Sequence, residues 1–211
     1  MRYILSLQPL PGLLFFGFFI ATQLTLAQNR ELDSLYTVLE NHPKEDSIRV
    51  RVLLKICWHE YTAHPEKGKT YAEEALQISK QINFLSGEGG ATRQIGIYYM
   101  SKGNYDLAIK FVYSALQIFE KVTDVKGIGN SYNTIGSIYR GMRNIEKSKE
   151  FYNKAIEMYQ RINDQKSIAN IYNSLGVLSI NFKKWKEARS YFQKSLEVRE
   201  RIKDKFGISQ C

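Results

Sequence analysis

From residue 87 to residue 206 the apolar and polar positions repeat every 40 residues, and within each period they recur at every third or fourth position. Three segments, 87–126, 127–166 and 167–206, align without a gap. The last two share Ile128/Ile168, Asn130/Asn170, Tyr132/Tyr172, Asn133/Asn173 and Gly136/Gly176, then Lys154/Lys194, Glu157/Glu197, Arg161/Arg201, Ile162/Ile202 and Asp164/Asp204. Each unit predicts two helices. Ile128, Tyr132, Ile135, Ile138 and Tyr139 make the apolar stripe of the first. Ile145, Ser148, Tyr152, Ala155, Ile156 and Tyr159 make that of the second, over about 145–162. Breaks fall at Gly103-Asn104 and at Gly141-Met142-Arg143-Asn144. Asp124, Asp164 and Asp204 recur between units, where a short acidic side chain starts a helix. Nothing alternates with period two, so strands are not expected.

The same offset runs backwards into a degenerate unit over 47–86, in which Leu54, Cys57, Trp58 and Tyr61 form a helical stripe and His64-Pro65 supply the turn. Before it, Leu32, Leu35, Tyr36 and Leu39 predict a short helix within 28–46, placed to cap the array. End units of a repeat array need a different outer face, so atypical first elements are expected. The string Gly87-Glu88-Gly89-Gly90 reads as a loosened helix entry.

Small residues hold one register through the three clear units. Gly96, Gly136 and Gly176 fall inside first helices, where glycine costs roughly 1 kcal/mol against alanine. The recurrence calls for close helix–helix approach. Ala108, Ser148 and Ala188 follow twelve residues later, and Ala115, Ala155 and Ser195 seven beyond those, with Val112, Tyr152 and Phe192 between. This pattern resembles the tetratricopeptide repeat. The departures are a 40-residue unit in place of the usual ~34, and Glu120, Gln160 and Glu200 where a closing proline is expected, so the second helix should run longer. A tyrosine of the first helix is matched by Tyr99 and Tyr139 but not by Ser179.

The resemblance implies an all-α fold, a right-handed superhelix of helical hairpins, with repeat 1 at 47–86, repeat 2 at 87–126, repeat 3 at 127–166, repeat 4 at 167–206 and a truncated restart at 207–211. It also implies a protein–protein interaction module whose first helices line a concave, peptide-binding groove. Carried over by register, the groove positions are Arg93 and Ile97, then Asn130, Asn133, Ser137 and Arg140, then Asn170, Asn173 and Val177. An amide both donates and accepts, so recurrent asparagines can grip a peptide backbone; equally, they can solvate the groove or bond to neighbouring helices.

The first 27 residues are of another kind. Arg2, the apolar run Leu10 to Ile20 and the small-residue pattern Thr25-Leu26-Ala27 predict an export signal cleaved after Ala27. The apolar run is shorter than the ~20 residues a spanning helix needs. Export places the chain in the periplasm or another extracytoplasmic space. The net charge of +9 is concentrated in the second half: residues 28–126 carry 13 basic and 13 acidic side chains, residues 127–211 carry 16 and 8. A basic half fits an anionic membrane surface, an acidic partner or simply lysines solvating outer helices, and export argues against nucleic acid. The two cysteines, Cys57 and Cys211, give no disulfide framework, and Cys57 reads as a small buried hydrophobe.

Catalytic chemistry finds no footing. His59 and His64 are five residues apart, whereas a helical zinc-protease pair needs four. The glycine cluster at 87–90 lacks the surroundings of a phosphate loop, and no histidine follows residue 64. No cofactor and no enzyme activity are expected. The layout of a signal, an Asp33-Ser34-Leu35 helix and 40-residue repeats also resembles the exported regions of bacterial sensor proteins. That likeness gives the alternative reading: the sensory part of a longer, membrane-bound signalling protein such as a histidine kinase, its output domain following the restart at Gly207-Ile208.

Overall fold

The structure is a computed structural model that describes residues 30–61 and 63–208. The export signal over 1–27 and the chain end over 209–211 lie outside the described residues. The chain divides into two units, 1–43 and 44–211. In the first, α1 covers 30–41, and Leu32, Leu35, Tyr36 and Leu39 are half-buried positions of it. The second unit is the repeat array.

The array runs α2 (Ser47–Glu60), α3 (Pro65–Gln81), α4 (Leu85–Ser101), α5 (Tyr105–Lys121), α6 (Val125–Gly141), α7 (Ile145–Arg161), α8 (Gln165–Asn181), α9 (Trp185–Arg201) and the short α10 (Lys205–Ile208). There is no strand among the described residues. Consecutive helices pack as antiparallel hairpins, and the first helices of neighbouring hairpins also touch, α2 on α4, α4 on α6 and α6 on α8. This is a superhelical solenoid.

The backbone has a shorter period than the sequence. From α4 to α9 every helix has 17 residues, so helix plus joint makes 20. Each joint contains one residue in the left-handed region: Asn83, Gly103, Thr123, Arg143, Asn163, Lys183 and Lys203, with φ between 53° and 72°. Two backbone bonds close each one. At the joint after α4, Gly103 N–H donates to the Met100 carbonyl (3.0 Å) and Asn104 N–H to the Tyr99 carbonyl (2.9 Å). These are the two bonds that satisfy the last carbonyls of a helix ending in a left-handed residue. The residue that makes the longer bond also begins the next helix. Asn104, Asp124, Asn144 and Asp164 each accept, through the side chain, the N–H of the residue three further on. One residue thus ends one helix and caps the next, which fixes the hairpin angle repeatedly along the chain.

Helices within a hairpin meet at the recurrent glycines. A Cβ on Gly96 would lie 2.6 Å from Val112 Cγ2. On Gly136 it would lie 2.7 Å from the Tyr152 ring, and on Gly176 2.7 Å from the Phe192 ring. The large residue of the second helix therefore seats on the glycine of the first, between two small residues of its own helix. Ser148 adds a bond across the same contact, its Oγ donating to the Gly136 carbonyl at 2.8 Å. In repeat 1 the small partner sits in the second helix instead: Gly68 occupies the register of Ala108, and its carbonyl accepts from Cys57 Sγ. Burial pushes the Cys57 thiol up to about 12, as an inert core cysteine requires.

Between hairpins the filling differs. The Phe119 ring lies over α4 and α6 together, 2.9 Å from where a Cβ of Gly89 would sit and directly where a Cβ of Gly127 would be. The glycines at 87–90 therefore do not loosen a helix entry; they are inside the first turns of α4, stripped of side chains so that Phe84, Phe119 and Leu54 can approach. Trp58 also departs from the sequence reading. It stands 60% exposed, outside the buried stripe that Leu53, Ile56 and Cys57 form.

Candidate functional site: the groove of the first helices

The C-terminal ends of α2, α4, α6 and α8 converge on a cavity of about 310 Å³, to which they contribute Tyr61, Met100, Arg140 and Asn181 respectively. Ser137, one turn earlier on α6, lines it as well, and Tyr105 closes one wall. Of the residues picked out by register, Ser137 and Arg140 reach this cavity. Ser137 Oγ is 3.1 Å from the Tyr152 hydroxyl, which rises through the hairpin from α7.

Arg93 lies deeper along the same succession of helices. Its Nη1 donates to Thr134 Oγ1 at 3.4 Å, a long bond from α4 to α6. Burial lowers the Arg93 pKa from its ordinary value while its charge remains, and the guanidinium pulls down on the Cys57 thiol and the Tyr159 phenol. Burial nonetheless holds the Tyr159 phenol at about 12. Neither Arg93 nor Arg140 has an acidic partner among the described residues. A half-buried guanidinium with one weak neutral acceptor retains most of its hydrogen-bonding capacity.

The asparagines separate into two kinds. Asn130 Oδ1 accepts from the Tyr159 hydroxyl at 2.7 Å, and Asn170 Oδ1 accepts from Arg199 Nη2 at 2.7 Å. The pairs are equivalent, displaced by one repeat, and each ties a first helix to the second helix of its own hairpin. Their carbonyl oxygens are committed within the fold. Asn133 and Asn173 sit half-buried one turn on, and the buried Asn133 Oδ1 has no hydrogen-bond partner. Val177 is half-buried. Ile97, 4% exposed, belongs to the core and presents nothing to the groove.

Tyr61 and Asn181 were not singled out by register, although the offset contains the signal: Tyr61, Ser101, Gly141 and Asn181 are successive positions 40 residues apart. The small residues at 101 and 141 leave the space that the outer two flank. Tyr61 feels Arg140 directly, and burial raises its phenol above the ordinary value against that pull.

Comparison with known families and structures agrees with the fold. A family model described as tetratricopeptide repeat matches residues 89–161, and a second of the same description matches 168–202. No curated protein matches the chain. Among solved structures, a Rap protein complexed with Competence and Sporulation Factor is 16% identical with a TM-score of 0.77, over 93% of this chain and 55% of that one. A signal-transduction ATPase with a tetratricopeptide repeat sensor, from Pyrococcus horikoshii, is 19% identical with a TM-score of 0.64, over 90% and 30%. BtubC from P. vanneervenii is 20% identical with a TM-score of 0.59, over 83% and 72%. The chain thus spans about half of the Rap protein and under a third of the ATPase. At these identities the likeness is one of fold.

Proposed function

Since this chain belongs to the tetratricopeptide repeat family, we propose that its groove holds a peptide segment of a partner protein and recognises carboxylate groups on it. The observation that carries this reading is the pair Arg93 and Arg140, two groove cations without acidic partners among the described residues. Arg140 lines the cavity, and Arg93 bridges from α4 to Thr134 on α6. A guanidinium meets a carboxylate through two parallel bonds. The similar Rap protein, seen complexed with Competence and Sporulation Factor, supports the use of this fold for binding a partner. The groove offers guanidinium, amide and hydroxyl groups, which suit binding and not catalysis. The exported location proposed from Arg2 to Ala27 would be tested by the N-terminus of the mature protein, Gln28 if cleaved and Met1 if not.

The test is selection from a peptide library by the full chain, followed by titration of the selected peptides. Arg93→Ala and Arg140→Ala should each weaken binding about ten-fold, the value of a charge-assisted pair, with far-UV circular dichroism unchanged. Selected peptides without acidic residues, bound equally by both variants, would overturn the reading. The second reading, a sensory region, has one supporting observation: the ATPase relative carries such repeats as its sensor. It makes the same groove the input site.

A further inference from the structure

Because consecutive helices are antiparallel, the joints leading from one hairpin to the next all fall on one edge of the array, after α3, α5, α7 and α9. The residue that closes the helix at each of them is aliphatic: Ile82, Val122, Ile162 and Ile202. None of the four is buried. Ile82 is 37% exposed and Ile162 40%, although each lies between two hairpins of the array. On the opposite edge the joints within hairpins place Tyr61, Lys102, Met142 and Phe182 at this position. The regular half-exposed aliphatic residue therefore belongs to one edge.

Cations accompany it. Lys121, Arg161 and Arg201 immediately precede Val122, Ile162 and Ile202, and all three are exposed. None has an acidic partner among the described residues. A cation in the last turn of a helix complements the dipole, which alone would account for these three. It does not account for Lys126 and Lys166. Both stand exposed in the first turns of α6 and α8, where a cation opposes the dipole and where neither helix carries an acid. The acids of these joints mostly turn inward. Asp124, Asp164 and Asp204 accept the N–H three residues on, and Asp164 also receives Lys126 at 3.2 Å. Glu120 and Glu200 are the exposed acids that remain beside them.

The spacing decides what such an edge fits. A partner helix would need a continuous apolar stripe, and here the aliphatic side chains stand a whole repeat apart. A row of single aliphatic side chains flanked by cations suits a surface that is negative throughout and admits a small apolar group at any point. The headgroup layer of an anionic bilayer has both properties. We propose that this edge of the array lies on an anionic membrane surface, its lysines and arginines meeting lipid phosphates and its joint aliphatics entering between headgroups. The contact is peripheral: no helix among the described residues is long and apolar enough to cross a membrane. It uses none of the groove residues, so it stands or falls apart from peptide binding.

The full chain carries the apolar run Leu10 to Ile20, so the readout is confined to the edge. An environment-sensitive fluorophore is placed on Ile162→Cys, and in a second sample on Lys183→Cys at the opposite edge, both with Cys211→Ser; Cys57 is buried. Vesicles of phosphatidylcholine with about one third phosphatidylglycerol should shift the emission at 162 to the blue and leave that at 183 unmoved. Phosphatidylcholine alone should need about ten-fold more lipid for the same response. Lys121→Glu with Arg201→Glu should raise the lipid needed about ten-fold, while Lys183→Glu with Lys186→Glu, the same charge change on the other edge, should not raise it. Ile82→Ser with Ile202→Ser leaves the charge alone and should raise it about five-fold. Far-UV circular dichroism should be the same in every variant.

Four outcomes would overturn the proposal. One is an equal response to the two kinds of vesicle, and another is an equal loss from charge reversal at either edge. The third is a serine variant that binds as before, which would reduce the contact to diffuse charge. The fourth is polyglutamate shifting the label at 162 as far as anionic vesicles do, which would make the partner an acidic polypeptide.

Discussion

The joint between α5 and α6 and the joint between α9 and α10 have the same backbone and opposite contents. In both, a left-handed residue and a carbonyl bond five residues back set the turn, and a glycine opens the next helix at the same register, Gly127 and Gly207. Phe119 fills the first with a ring that needs only apolar neighbours and lies over Gly89 and Gly127. Arg199 fills the second, 4% exposed, and polar groups hold its guanidinium: Nε to Ser195 Oγ at 3.3 Å, Nη1 to Asp204 Oδ2 at 2.9 Å and Nη2 to Asn170 Oδ1 at 2.7 Å. Tyr159, at the joint between them, is intermediate, a ring whose hydroxyl reaches Asn130. The solenoid fixes the space at each joint and leaves the chemistry free. Moving from ring to guanidinium makes the joint depend on partners, and those partners include an asparagine assigned by register to the groove.

The comparison can be broken most severely at its apolar end. Phe119→Ala should destabilise the array by about 3–5 kcal/mol, because the cavity is bounded by two helices that glycines cannot fill. Urea unfolding would show a lower midpoint, and an unchanged one would mean the ring is not what joins the hairpins. At the polar end, Arg199→Leu should cost about 3 kcal/mol through the stranded Asp204 and Asn170. Because Arg199 joins only α8, α9 and the joint before α10, amide exchange should rise in α10 and the end of α9 and leave α5 and α6 as they were.

A milder change sharpens the intermediate case. Tyr159→Phe keeps the ring and removes its bond to Asn130, so a loss of about 1 kcal/mol is expected in the same unfolding measurement. The smallest effect is on pH. Asp204 is held below its ordinary carboxylate value, chiefly by the Gly207 N–H, with Arg199 adding to this and burial opposing it. A depressed carboxylate contributes stability above its unfolded pKa, and that contribution is lost as pH falls through the folded value. Amide protection of α10 should therefore weaken in acid below about pH 4, and Asp204→Asn should remove that dependence.

Much of the fold was legible in the chain because packing constraints leave small residues behind. Gly96, Gly136 and Gly176, with the small residues Ala108, Ser148 and Ala188 twelve positions on, mark the hairpin contact in the sequence itself. The 20-residue backbone period was hidden, since its left-handed position is occupied by Asn, Thr, Arg and Lys and by glycine only at Gly103. Thr123, β-branched at φ 55°, is there because the surrounding bonds impose the turn. The groove was half legible. Register located Arg93, Asn133 and Arg140 correctly on first helices, but it could not tell that Asn130 and Asn170 turn to partners 29 residues away. Nor could it separate the core residue Ile97 from the half-buried Arg93, since both lie on one helix.

The first helices are the proposed recognition surface. Hydrogen–deuterium exchange of the full chain, with and without a selected acidic peptide, tests it most directly. Protection confined to the segments of α4, α6 and α8 that carry Arg93, Asn133, Arg140 and Asn173 is the predicted result. Protection appearing only on second helices, or none at saturating peptide, would contradict it.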